Sequence, residues 1–238
     1  MEMTIVIPCY NEAENIPILL ERFSNAIKDR NIKVILVNNG SNDNTKEVLN
    51  KLIPQYCFAD TVLVEVNQGY GYGIKKGLEQ CTSDYVGWTH ADLQTDPKDV
   101  VKAYDIISKY KSEKIYVKGF RRNRPLFDRV FTNGMSLIEG AIFKKKLIDI
   151  NAQPNIFPLE FFKCWTDAPD DFSLDLFSYY MAEKLGLKVI RYNVLFPERI
   201  HGQSKWNTDG LKSKWKFIKR TMCYSIQLKR TIKRNAGR

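Results

Sequence analysis

Apolar and polar positions follow two rhythms along the chain. Short β-branched runs bounded by turn residues, MTIVIP at 3–8, KVILV at 33–37 and TVLVEV at 61–66, predict buried strands. Tyr85 to Thr89 and Ile115 to Gly119 repeat the pattern. Between these runs the spacing turns helical. Ala13 to Lys28 carries Ile16, Leu19, Leu20, Phe23 and Ile27 on one face, and Tyr72 to Cys81 and Asp99 to Tyr110 read as two more helices. Strands alternating with helices predict an α/β fold with a mostly parallel sheet and right-handed crossovers. Beyond Phe120 the pattern changes. Pro125 to Ile142 is amphipathic, Asp171 to Leu185 reads as a long helix, and 188–196 (KVIRYNVLF) as a strand, a second half that completes the sheet. Leu211 to Arg230 mixes Trp215, Phe217, Tyr224 and Leu228 with lysines at imperfect helical spacing. The expectation there is only a basic, aromatic-bearing segment suited to an interface.

Composition narrows the class. The 238 residues, 44% apolar and 27% charged, suffice for one generous α/β domain. No run of about 18 uncharged apolar residues suggests a transmembrane helix. The strand pattern begins at once, without a signal region, so secretion is not expected. Five scattered cysteines without a CxxC pair fit reduced thiols in the cytosol, and two histidines, His90 and His201, exclude a histidine-rich metal centre. The net charge of +10 is local: Gly210 to Arg238 holds ten of the 37 basic residues and no acid, and the remaining basic residues balance the 27 acidic ones. Such a tail suits anionic lipid or nucleic acid, or is simply solvated. No recognised nucleic-acid motif accompanies it, so nucleic acid is not expected as a partner.

In a parallel sheet ligands bind at the carboxyl ends of the strands. The polar motifs fall there: PCYNE after the first strand, NNGSND after the second, NQGYGYG after the third and HADLQ after the fourth. In the last, Asp92 is an oxygen ligand suited to a hard divalent cation on a diphosphate, and Gln94 offers an amide carbonyl to the same ion; the bland reading is a strand-end turn with an Asp cap. Tyr10, Asn11 and Glu12, and the loop around Asn39, suit a nucleobase and ribose, or merely a helix start and a tight turn. Asn67 to Gly73 has the wrong spacing for a dinucleotide fingerprint and lacks the acidic partner, which rejects a dehydrogenase. Its glycines imply close approach to a ligand or tight helix packing. Arg121, Arg122, Arg124 and Arg129, and the cationic loop from Arg199 through Lys205, suit phosphate or a solvated face. Asp170, Asp171 and Asp175 are candidate general bases, and Asp171 is equally a helix cap.

Together IPCYNE, NNGSNDNT, NQGYG, HADLQ, DFSLDL and ERIHGQSKW resemble family 2 glycosyltransferases of the GT-A fold. The nearest group is that of dolichol-phosphate mannose synthase and the bacterial polyprenyl-phosphate glycosyltransferases. The resemblance runs from residue 5 to residue 206. It implies a Rossmann-like GT-A domain over 1–210, with a nucleotide-sugar half at 1–120, an acceptor half at 121–210 and a basic tail at 211–238. It implies Mg²⁺ or Mn²⁺ held by Asp92 and Gln94, with His90 beside them. A nucleotide-sugar donor would be held by Pro8, Tyr10, Glu12, Asn39, Asn67 and Gly69. Arg121, Arg129, Arg199 and Lys205 match phosphate-contacting positions, and Asp92, Asp171 and Arg129 are the catalytic candidates. The implied reaction inverts the anomeric centre in one displacement. A lipid-phosphate acceptor is already anionic and needs no strong base; a glycan hydroxyl would call on Asp171.

The chain departs from that group in three places. His90 stands where an Asp is usual, Asn38-Asn39 replaces a pair of acids, and a basic tail stands where many members continue into transmembrane helices. A peripheral place on the cytosolic face of a membrane, reached through lipid charge or a partner subunit, is the expectation. A nucleotide-sugar-binding protein without turnover is the reading that the first two departures motivate.

Overall fold

The computed structural model describes residues 1–110, 114–122, 126–145, 147–197, 219 and 222–230, with 126–133 and 135 described at the level of the backbone. Seven strands form one sheet among the described residues: β1 (Met3–Cys9), β2 (Ile32–Asn39), β3 (Ala59–Val64), β4 (Tyr85–Trp88), β5 (Ile115–Arg122), β6 (Asn155–Pro158) and β7 (Lys188–Leu195). Their order is β3-β2-β1-β4-β6-β5-β7, and every pairing is parallel except those of β6 with β4 and β5. The helices are α1 (Asn15–Ile27), α2 (Thr45–Leu52), α3 (Tyr70–Leu78), α4 (Pro97–Lys109), α5 (Leu126–Phe143), α6 (Leu159–Lys163) and α7 (Leu174–Lys184).

Alternation along the strands divides the core between two faces of the sheet. Ile5 and Ile7 of β1 join Leu36 of β2 under α1 and α4, where Leu20, Phe23, Val100 and Ile107 are buried. Val6 and Val37 point the other way, towards Ile74 and Leu78 of α3 and a cluster that includes Trp88, Phe157 and Phe177 of α7. Buried β-branched side chains on both faces are what a central parallel strand requires. Helix α4 begins as its sequence dictates: Asp96 caps the Lys98 amide at 2.9 Å and Pro97 occupies the first turn.

Several elements differ from the sequence reading. Strand β6 and the short α6 were not expected, because four residues ending in a proline carry no strand periodicity of their own. β6 exists by lying between β4 and β5. β3 ends at Val64, leaving Val66 70% exposed in the loop, and α3 begins two residues early at Tyr70. Residues 222–230 are helical, with Ser225 and Leu228 buried and Leu228 packed in the same cluster as Phe143 of α5. Apart from Lys219, the rest of the basic tail lies outside the described residues.

Candidate active site

The loops after β1 and β2 are laced together at the carboxyl edge of the sheet. The Asn11 amide donates to Ser41 Oγ at 3.0 Å, the Asn42 amide to Asn11 Oδ1 at 2.9 Å, and the Glu12 amide to Thr45 Oγ1 at 2.9 Å. The Asn42 side chain reaches Tyr10 Oη at 3.2 Å, and Asn38 Oδ1 accepts the Ser41 amide at 3.1 Å. Tyr10 and Glu12 thus share one wall with the 38–45 turn. Pro8, in β1 just before them, is part-exposed. Asn39 turns inward instead. It is 3% exposed, and its amide nitrogen donates to the Gly69 carbonyl at 3.0 Å.

That bond ties the second loop to the third. Gly69 has φ 122°, and a Cβ there would lie 2.2 Å from the Asp170 carbonyl oxygen; one at Gly71 would lie 2.6 Å from that of Pro169. The glycines therefore admit another stretch of this chain's own backbone, which answers the choice left open between ligand approach and packing. The Tyr72 amide donates to the Asp170 carbonyl at 3.0 Å, and Lys75 pairs with the Asp170 carboxylate at 2.9 Å. Asn67 is exposed and caps the Gly69 amide at 2.9 Å.

Asp92 sits in the turn after β4, 6% exposed, its Oδ1 accepting the Gln94 amide at 3.2 Å. The Thr89 and Thr95 hydroxyls, 2.9 Å apart, close the neck of this turn. Gln94 Nε2 donates to the Pro197 carbonyl at 2.9 Å, tying the turn to the segment that leaves β7. The half-buried His90 ring lies 5.8 Å from that of Tyr70, which stacks on Phe172 at 4.6 Å. Among the described residues no three His, Cys, Asp or Glu side chains converge as a metal group.

Arg121 is held by Asp149, whose Oδ1 takes its Nε at 2.9 Å and its Nη2, and whose Oδ2 takes its backbone amide at 2.8 Å. Burial pushes the Asp149 carboxyl up, but Arg121 beside it wins and holds it below the usual range. Asp171 accepts the Ser173 amide at 2.8 Å in the turn that leads into α7, as a helix-entry residue does. Asp175 is 2% exposed and its Oδ1 accepts three bonds from neighbouring donors, a burial that withholds it from an acceptor hydroxyl. Arg129 lies in α5, its side chain outside the described residues, and Arg199 and Lys205 also lie outside them. Tyr70, Gln153 and Asn155 were not among the sequence candidates, and the structure brings Tyr70 against His90 and links Gln153 to both Tyr70 and Asn155. The one available signal was polar side chains at the start of apolar elements, Tyr70 opening α3 and Asn155 opening β6, with Gln153 two residues before β6 begins.

Comparison with known proteins settles the family. Residues 4–168 match the family model described as Glycosyl transferase family 2. The chain belongs to that family. It is 24% identical to the dolichol-phosphate mannosyltransferase of Pyrococcus furiosus over 98% of this chain and 67% of that one. It is 33% identical to an undecaprenyl-phosphate 4-deoxy-4-formamido-L-arabinose transferase of Pseudomonas savastanoi over 47% of this chain and 36% of that one. The counterpart in Pectobacterium atrosepticum is 27% identical over 86% of this chain and 62% of its own. The matches thus span between about a third and two thirds of these relatives' lengths. Among solved structures, glucosyl-3-phosphoglycerate synthase of Mycobacterium tuberculosis, in complex with Mn²⁺, UDP and glucosyl-3-phosphoglycerate, superimposes with a TM-score of 0.70. It is 18% identical, over 94% of this chain and 79% of that one. The fold is therefore the GT-A fold, and the family's activity is glycosyl transfer.

Proposed function

We propose that the chain moves a sugar, with inversion, from a nucleotide-sugar donor onto a polyprenyl or dolichyl phosphate at a membrane surface. The observation that carries this reading is the place of Asp92. It is a nearly buried carboxylate at the carboxyl end of a parallel strand, beside a laced pair of loops suited to a nucleotide. The alignment with the Pyrococcus relative along 98% of the chain supports the acceptor class.

The donor set fits a hard divalent cation, Mg²⁺ or Mn²⁺. Asp92 is an oxygen ligand, and Gln94 has its amide nitrogen engaged with Pro197, so its oxygen is the atom with ligand character. These two residues, with His90 nearby, would hold the ion, the donor's phosphates completing its shell. When bound, such an ion neutralises charge on the departing diphosphate. Tyr10, Glu12 and the 38–45 turn orient the base and ribose, with Pro8, Asn39, Asn67 and Gly69 behind and beside them. Arg121, fixed in direction by Asp149, meets the acceptor phosphate together with Arg129, Arg199 and Lys205. An ionised lipid phosphate is already a nucleophile, so Asp171 serves the entry to α7 and no strong base is required.

The protein reaches the membrane peripherally, from the cytosolic side. Among the described residues no helix is long and apolar enough to cross a membrane. Leu137 of α5 is 76% exposed and Ile226 of the 222–230 helix is 42% exposed, with Lys219 and Arg230 exposed beside the latter in sequence. Apolar side chains next to cations suit an anionic lipid surface or a membrane subunit.

Calorimetric titration with UDP-, GDP-, dTDP- and CDP-sugars, with and without Mn²⁺, tests the donor site. One nucleotide should bind in a metal-dependent way, and Asp92→Ala should remove the metal-dependent part. Unchanged binding by Asp92→Ala would disprove the assignment of the ion to that residue.

A further inference from the structure

Behind the donor site lies a layer of buried polar side chains that the transfer chemistry does not itself use. Asp175, in the first turn of α7, accepts three hydrogen bonds on Oδ1: from Gln153 Nε2 at 2.8 Å, Asn155 Nδ2 at 3.1 Å and Trp88 Nε1 at 3.2 Å. Asn155 Nδ2 also meets Gln153 Oε1 at 2.7 Å, and Asn155 Oδ1 accepts from Lys118 Nζ at 2.6 Å and Tyr116 Oη at 3.0 Å. Tyr116 Oη lies 2.9 Å from Ser178 Oγ, which returns the network to α7.

Two arms of this network reach the site. Trp88 ends β4 and leads directly into the turn that carries His90 and Asp92. Gln153 Nε2 lies 3.3 Å from the Tyr70 hydroxyl, and Tyr70 opens α3 with its ring between Phe172 and His90. Burial first, then the Asp175 charge, raises the pKa of that hydroxyl, and Asp92 adds to the effect. Electrostatically, the phenol therefore lies within range of both carboxylates.

A carboxylate 2% exposed, held mainly by neutral donors, is an expensive way to fill space. Apolar side chains pack the same region: Phe157 and Phe177 are buried a short distance away. A polar network bonded to each element it joins instead fixes one arrangement of those elements.

We infer that Asp175 is a positioning residue of the transfer site. Through the Trp88 indole on one arm and Gln153 and Tyr70 on the other, it holds the His90–Gln94 turn and the start of α3 in register, and with them the floor under the donor's sugar and diphosphate. The catalytic consequence rests on the proposed transfer; the positioning itself does not.

The test compares the whole chain with Asp175→Asn and Tyr70→Phe. Three readouts are thermal unfolding, amide NMR spectra, and kcat and KM with whichever donor the wild type binds. In Asp175→Asn the amides of residues 69–72 and 89–94 should shift, and kcat should fall by roughly tenfold or more, because small misplacements at a reacting centre are costly. Donor KM should change by a smaller factor than kcat, since the 10–12 loop and its bonds to the 38–45 turn lie outside the Asp175 network. Tyr70→Phe should repeat the loss of kcat with Tm preserved. Unshifted amides at 89–94, or a lowered Tm with kcat intact, would overturn the inference. If Asp175→Asn does not fold, Tyr70→Phe decides: full kcat in that variant overturns it. If the wild type turns over no donor, the transfer reading has failed, and the amide shifts at 89–94 alone decide the positioning.

Discussion

Leu93 stands between the two residues assigned to the metal, with φ of 60° and a side chain 2% exposed. A bulky residue in that region is under strain, and strain of this kind persists where the surroundings over-determine it. Here the buried leucine is the anchor. Leu93→Ala keeps the backbone demand and loses the anchor, and should destabilise the chain by about 2–4 kcal/mol. Urea unfolding measures that loss, and metal titration should show weaker binding in the folded variant. Glu139 supplies a prediction in pH. Burial pushes its carboxyl from 4.5 up to about 7, with the Ser225 hydroxyl working the other way. A raised acid contributes stability that is complete below about 4.5 and is lost as pH rises through about 7. Glu139→Gln should flatten the fall in Tm across that window. An equal slope in both proteins would show that the carboxyl is not the source. At this scale the sequence put a carboxylate and an amide, Asp92 and Gln94, at a strand end, and the structure has both in the turn after β4. Lys118, inside the apolar run IYVKGF, was not legible. Its burial and its depressed pKa of about 7, caused by desolvation, come from partners far away in sequence.

At the scale of elements, α3 is where the donor half meets the later part of the chain. Its first turn carries the 169–171 backbone on Gly69 and Gly71, and Lys75 holds the Ala168 carbonyl at 2.6 Å. Gly71→Ala places a methyl group against the Pro169 and Asp171 carbonyl oxygens, and backbone cannot yield as a flexible side chain does. The variant should lose about 1–3 kcal/mol of stability, as overpacked sites do, and turnover should fall further than Tm alone accounts for. Turnover in proportion to the folded fraction would contradict the role of that contact. Most elements were legible in the sequence because the central parallel strands, buried on both faces, must be β-branched runs, and α1 and α4 show one apolar face. β6 was not legible, since NIFP takes strand form only between β4 and β5. The helix at 222–230 was obscured by the imperfect helical spacing of apolar residues along 211–230, and Leu228 shows which side is buried.

Across the whole molecule the charge is divided: a balanced domain and a tail without acids. Replacing the ten basic residues of 211–238 by glutamine, which keeps the buried Ser225 and Leu228, should abolish binding to vesicles rich in anionic lipid while leaving donor binding in place. Undiminished vesicle binding would move the membrane contact to another surface, with exposed Leu137 on α5 the first to examine. Raised salt should weaken binding of the intact chain, because exposed charges are screened within about 10 Å at 0.1 M. The central claim is transfer to a polyprenyl phosphate, and acceptor-dependent release of nucleoside diphosphate tests it most directly. The full chain is incubated with each nucleotide sugar and Mn²⁺, with undecaprenyl or dolichyl phosphate present or omitted. The account predicts rapid release with one donor, only when the lipid phosphate is present, together with a sugar-bearing lipid product. Release that ignores the lipid, or none from a chain that still binds the nucleotide, would contradict it.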